Sequence, residues 1–284
     1  RARARGIPNF HIFGEVATSD FDPALLAGWT RKAGLPSNLD FGFAVAAVQV
    51  ASGARGSDML ARWVDDDVLY EGGVKGALIQ PTFLGNHDAG RFAMFLRQLN
   101  PKADAEELLA RAILGHAMLL TLRGVPVIYY GDEQGFVGRG GDQLARQDMF
   151  ASKVAAYNDQ PLLGSTATTA QDNYNPGHPL YRLIAELSAV RRSTPALTSG
   201  RTLVRLSSDK PGLFVVSRFD PVTGREVVLA FNSANSPQTA RVPVAARSQN
   251  FTPLAGQCSP MADAPGSFTV TLAPLGFAVC AAKD

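Results

Sequence analysis

Phe83-Leu84-Gly85-Asn86-His87-Asp88 closes an apolar run that begins at Ala77, and it ends abruptly in three polar side chains that can each hydrogen-bond a sugar. Far upstream, Phe10-His11-Ile12-Phe13 reads as a second apolar strand and runs into Gly14-Glu15. Two strands that each deliver a carboxyl group at the C-terminal end supply what glycosidic bond cleavage requires. One protonated carboxyl donates to the leaving oxygen, and ionised groups nearby stabilise an oxocarbenium-like centre.

Composition sets the bounds around this pair. The chain has 284 residues, 46% hydrophobic and 18% charged, enough for a large core in one or two domains. Its 27 Lys and Arg against 25 Asp and Glu leave a net charge of +2, too balanced to point to nucleic acid or an anionic membrane as partner. The best candidate for a membrane span, Ala117 to Tyr130, is broken by Arg123 and Gly124. The chain opens on Arg1 without an initiator Met or a signal-peptide pattern, so it is expected to be a fragment or a processed product. Cys258 and Cys280 are the only cysteines, and their spacing fits no zinc motif. Two buried thiols and a disulfide are both open to them; a disulfide would close a loop worth roughly 3 kcal/mol and favour an exported protein.

The first two-thirds alternates strands and helices, the pattern of a parallel sheet. Strands are expected at Asn9 to Val16, Asn38 to Phe41, Leu78 to Asn86 and Val125 to Gly131. Asp22-Pro23 caps and opens a helix toward Gly34, and Ser57-Asp58 is expected to cap another that runs through Leu60, Trp63 and Val64. Asp104 with Glu107 forms a capping-box-like pair before a helix that Gly124 stops. Pro179 to Arg192 reads as the last long helix, with Arg191 and Arg192 suited to the negative end of its dipole. From Gly200 the character changes to short strands: Leu213 to Phe219, Glu226 to Phe231, Arg241 to Val244, Ser267 to Leu272 and Phe277 to Cys280. The loop from Asp220 to Gly224 joins the first two as a hairpin. The boundary is placed at Ser199, giving an α/β unit over 1–199 and an antiparallel β-domain over 200–284.

Phe83 to Asp88 resembles the Phe-x-x-Asn-His-Asp motif of the α-amylase family, glycoside hydrolase family 13. Phe13-Gly14-Glu15-Val16 is similar to that family's general-acid strand, and Gly124 to Gly135 to its eighth barrel strand and following loop. Asp142 to Arg146 matches the usual continuation in part. The resemblance implies the C-terminal half (strands 5–8) of a (β/α)8 TIM barrel, followed by an antiparallel β-sandwich domain. It implies Glu15 as general acid/base, Asp88 as the second carboxylate that holds the distorted sugar, and His87 and Asn86 as substrate-binding residues. An acid that works near neutral pH needs its pKa raised by burial or a negative neighbour.

The family's nucleophile is an aspartate after strand four in a Gly-Phe-Arg-x-Asp context. Arg146-Gln147-Asp148 and Arg218-Phe219-Asp220 both lie after the eighth strand, so neither matches it. The resemblance therefore implies a retaining hydrolase of starch or malto-oligosaccharides whose nucleophile lies upstream of this chain. No cofactor is expected within the chain, and calcium is expected only in the complete enzyme. The expected partner is an α-glucan or oligosaccharide, with neither nucleic acid nor membrane. A glucan transferase, a small-α-glucoside hydrolase and a non-catalytic sugar-binding module are the alternatives.

Other residues read as structural. His116 is expected to be packed within its helix, His11 to be structural, and Asp65-Asp66-Asp67 to be a solvated helix end rather than a cation site. Arg91 lies close enough in sequence to orient Asp88, with a helix-surface position equally open.

Overall fold

The computed structural model describes residues 2–7 and 10–283. Eight α-helices and nine strands run in the order α1 (Pro23–Lys32), α2 (Phe41–Ala51), α3 (Asp58–Asp65), α4 (Val74–Ala77), β1 (Pro81–Thr82), α5 (Phe92–Leu99), α6 (Ala105–Thr121), β2 (Val125–Pro126), α7 (Pro179–Ser193), α8 (Pro195–Ser199), β3 (Arg201–Leu206), β4 (Leu213–Phe219), β5 (Glu226–Asn232), β6 (Gln238–Pro243), β7 (Phe251–Gly256), β8 (Ser267–Leu272) and β9 (Phe277–Ala282).

The expected parallel strands are present as an order of segments but much shorter than their apolar runs. Gly14 bridges Asn38 in parallel, Asp40 N–H donates to Pro81 C=O at 2.8 Å, and β1 pairs with β2 in parallel. Asn9 lies outside the described residues, and the rest of its expected strand makes only the single bridge at Gly14. Leu78 belongs to the turn that leaves α4, and Tyr129 to Gly131 to the loop after β2. Phe10, Ile12, Phe13, Val125 and Val127 remain exposed. The two end segments, at Gly14 and at β2, are bonded on one side only among the described residues and keep apolar residues uncovered, and few regular hydrogen bonds form along the ladder.

Helix α2 replaces the strand expected to run on to Phe41. Asp40 Oδ1 accepts the Phe43 N–H at 2.8 Å and caps it. The helix is apolar all round and nearly all of it is buried, so it carries no polar face to betray a 3.6-residue period. Two of the foreseen caps form: Asp22 accepts from Leu25 N–H at 2.9 Å, and Asp104 from Glu107 N–H at 2.8 Å, whereas Ser57 makes no capping bond to α3 and donates to Leu213 C=O instead. Glu107 does not complete the box; its carboxylate holds Arg111 and Asn235 instead. Arg191 also differs from expectation. It turns away from its own helix and donates to Leu120 and Leu122 C=O at 3.0 Å and to Gly124 C=O, serving the orphan carbonyls at the end of α6.

The β-domain has a five-stranded antiparallel sheet, β3-β4-β5-β9-β7, faced by a two-stranded sheet, β6-β8. Along β4, Phe214 and Val216 join the core shared with the helices, whereas Leu213 and Val215 face the second sheet. The Asp220 hairpin forms as expected, with Asp220 Oδ1 accepting from Val222 and Thr223 N–H. Cys258 and Cys280 form a disulfide that ties the segment after β7 to β9.

One buried charge cluster holds the α/β half together. Arg123, fully buried, donates from Nη1 to Asp40 at 2.6 Å and from Nε to Asp67 at 2.7 Å, and its guanidinium lies 3.7 Å over the Trp63 ring. Trp63 Nε1 donates to the same Asp40 carboxylate at 3.1 Å. Asp67 is therefore a buried ion-pair member, which corrects its expected place at a solvated helix end. Replacing Arg123 by Met leaves two buried carboxylates without a cation. It is expected to lower unfolding stability by about 3–5 kcal/mol, read from urea denaturation followed by tryptophan fluorescence.

Candidate active site

The C-terminal ends of the parallel segments lead into loops at Glu15, at Asn86 to Arg91, and at Tyr129 to Gly135. The middle loop is a closed turn. Asn86 and Gly90 exchange backbone hydrogen bonds at 3.0 and 3.1 Å, and Asn86 Oδ1 accepts the N–H groups of Asp88 and Ala89 at 3.0 and 2.7 Å. The Asn86 side-chain oxygen is thus committed to shaping the loop, and its amide nitrogen is the part left for a ligand. Gly85 must be glycine here, because a Cβ would sit 2.5 Å from Gly90 C=O.

This turn presents His87 and Asp88 side by side. His87 Nε2 lies 3.3 Å from Asp88 Oδ2, and both side chains are about half exposed, at 55% and 53%. Asp88 Oδ1 also faces Arg146 Nη2 at 3.2 Å, and Arg146 reaches Asp142 at 2.8 Å. Asp142, at φ 48°, donates its N–H to Asp88 C=O at 3.0 Å. The excursion after β2 therefore folds back onto the Asp88 loop and sets a guanidinium against its carboxylate.

Arg91 is neither an orienting partner of Asp88 nor a helix-surface residue. It is completely buried, donating from Nη1 to Tyr130 C=O at 2.7 Å and from Nε to Gln147 at 2.5 Å. The rings of Tyr129, Phe136 and Tyr130 surround its guanidinium at 4.4, 4.9 and 5.2 Å, and Asp132 lies 3.6 Å away. Burial lowers its pKa, with the Asp132 charge acting against that shift. Arg91 acts as a pin between the Asp88 loop and the two loop segments that follow β2. The sequence signal for it was the aromatic pair Tyr129-Tyr130 ahead of Asp132, legible only once a cation could be placed among them.

Asp132 and Glu133 are structural: Asp132 is buried between Arg91 and His116, and Glu133 accepts from Gly131 N–H at 2.8 Å. His116 is packed as expected, its Nδ1 2.8 Å from Ala112 C=O and its ring edge-on to Phe92. His11 bonds Ser37 at 2.9 Å. Glu15 is exposed and makes no hydrogen bond or ion pair among the described residues. The burial that an acid at neutral pH needs is not supplied to it by these residues. Between the segment after Glu15 and the Asp88 loop lies a cavity of 340 Å³, lined by Thr18, Ser19, Phe83, Gly85 and Ala89 among others.

A sequence model described as "Alpha amylase, catalytic domain" matches residues 2–200, which contain every loop of this site. The chain belongs to the alpha-amylase family. It is 41% identical over 255 residues to an alpha-amylase of Streptomyces lividans, covering 90% of this chain and 28% of that protein. A cyclomaltodextrin glucanotransferase of Bacillus sp. (strain 1-1) is 30% identical over 186 residues, 64% of this chain and 21% of that one. The crystal structure of an Anoxybacillus alpha-amylase matches with a TM-score of 0.73 at 21% identity, covering 100% of this chain and 54% of that one. The chain thus spans about half the length of that amylase structure and less than a third of those two relatives. The architecture is that of a partial amylase barrel followed by a β-domain, so the uncovered apolar faces of its strand segments lie where such a barrel would continue.

The loop geometry makes Asn86 the residue to perturb. Asn86→Ala removes the acceptor for two backbone N–H groups and is expected to cost about 1–3 kcal/mol locally. Faster amide hydrogen exchange at Asp88 and Ala89, retained protection in Asn86→Asp, and no change at the Phe92–Leu99 helix are the expected signs.

Proposed function

We propose that this chain is the part of a retaining α-glucan hydrolase that carries its general acid/base, with starch or malto-oligosaccharides as substrate. The observation that carries the reading is the rim itself. A closed turn presents His87 and Asp88 together against Arg146, and Glu15 follows the parallel segment at Gly14, separated from β1 by the Asn38–Asp40 segment. In this reading Glu15 protonates the glycosidic oxygen, and an aspartate contributed by residues outside this chain attacks the anomeric carbon. Glu15 then deprotonates water to release the glycosyl-enzyme. Asp88 and His87 hold the hydroxyls of the distorted sugar, and Asn86 offers its amide donor. The Arg146 guanidinium, 3.2 Å from Asp88 Oδ1, aims the Asp88 carboxylate.

Among the described residues no group of three or more His, Cys, Asp or Glu side chains could hold a metal ion. The disulfide supports an exported protein, because such bonds persist in oxidising compartments. Among the described residues no helix is long and apolar enough to cross a membrane.

In the full-length protein, Glu15→Gln is expected to lower kcat on soluble starch by about 10²- to 10⁴-fold with KM little changed. An unchanged rate removes Glu15 from the acid role. The 284-residue chain expressed alone is expected to release no reducing sugar from starch, since its two Arg-x-Asp runs, at Arg146 and Arg218, both follow the strand at Val125 instead of preceding Glu15. Sustained hydrolysis by that purified chain would overturn the assignment of the nucleophile to residues outside it.

A further inference from the structure

A hollow of 950 Å³ shares no residue with the Asp88 loop. It arises from a mismatch between the two sheets of the β-domain. Two strands, β6 and β8, face a sheet of five, and the outer strand β3 is left with one side uncovered. Arg201 and Leu203 of that strand stand opposite Phe219 and Ser217 of β4 and form the groove floor. Lys75 of α4 closes one rim and Arg247, beyond β6, the other.

The lining is strongly cationic. Lys75, Arg201, Arg205 and Arg247 face a single carboxylate, Asp220, in a chain whose whole net charge is only +2. Arg205 is neutralised by the buried Glu226 at 2.9 Å. Asp220 is committed to its own turn, accepting from Val222 and Thr223 N–H at 2.8 and 2.9 Å, and these bonds hold its pKa below the usual value. Lys75, Arg201 and Arg247 have no ion-pair partner among the described residues. Arg201 is held 4.4 Å over the Phe219 ring, which fixes the plane of its guanidinium, and Arg247 spends one donor on Gly224 C=O.

We propose that this groove is a binding site for a phosphoryl group, as free phosphate or as a phosphate ester on a sugar. The groove offers two guanidinium groups and an ammonium without ion-pair partners among the described residues, and guanidinium binds a phosphoryl group in bidentate fashion. A phosphate monoester carries about −1.5 to −2 charges at pH 7, enough to balance most of the unpaired cations, whereas a lone carboxylate would leave most of them uncovered. The site is independent of glucan hydrolysis and stands or falls without it.

Calorimetric titration of the full-length protein with inorganic phosphate and with glucose 6-phosphate tests this, with glucose as the uncharged control. The expected result is saturable phosphate binding with Kd at or below about 1 mM. It should weaken by at least about tenfold in the Arg201→Gln/Arg247→Gln double variant and stay unchanged in Arg192→Gln, an exposed arginine outside the groove. Tighter binding of the ester than of free phosphate would assign the groove to phosphorylated sugars; equal binding would assign it to the phosphoryl group alone. The proposal is overturned if neither probe binds saturably, if the double variant binds as the parent does, or if Arg192→Gln weakens binding equally. Thermal melting checks that the variants fold, and Lys75→Gln, at an exposed position on the opposite rim, repeats the test should the double variant melt early.

Discussion

A buried arginine is tolerated only where every charge around it is answered, and Arg123 is the position on which the α/β half turns. Its guanidinium joins the entry to β2, the cap of α2 through Asp40, and the 3-10 turn after α3 through Asp67, and it packs against Trp63. Desolvation of the cation opposes this arrangement, and two carboxylates together with an aromatic face offset it. Asp67 shows the other side of the balance: burial pushes its carboxyl up to about 6 against the pull of Arg123. The cluster specifies register. Asp40, Asp67 and Arg123 meet only if the segments that carry them stand in one order and at one height.

The β-domain is not an appendage to that half. The core is continuous from α2, α3, α5 and α6 into β4, β5 and β9. Polar contacts reinforce the seam. Ser57 donates to Leu213 C=O at 2.8 Å, and the Glu107–Arg111 pair of α6 holds Asn235 beyond β5. Arg111 also donates to Ala51 C=O at 2.9 Å, so a single side chain ties α6, α2 and the β-domain together. A barrel fragment with open strand edges gains from such a partner, because the helices on its outer face are buried regardless of whether the strands are fully paired.

Legibility followed local chemistry. The starts of α1, α6 and α7 could be placed because Asp22-Pro23, Asp104 and Pro179 act through bonds only two or three residues away. Helix α2 was hidden by its uniform apolarity, and β3 by its mixed exposure at a sheet edge. The Asn86-His87-Asp88 triplet stood out in the sequence as a candidate loop, yet the contacts within it did not. The Asn86 oxygen is spent on the turn, and the cation beside Asp88 is Arg146, which is 58 residues away in sequence, rather than nearby Arg91.

By itself the sequence determined the family and the succession of an α/β half and a β-domain. Each depends on residue type, short-range capping or alternation, and these are encoded within a few neighbours along the chain. Tertiary structure alone decided which charges are answered and which are left over. Arg91 disappears among three aromatic rings and Asp67 into an ion pair, while Lys75, Arg201 and Arg247 are left unpaired around a groove. The energy of a charge is set by what surrounds it in space, and the surrounding residues come from segments tens to well over a hundred positions apart.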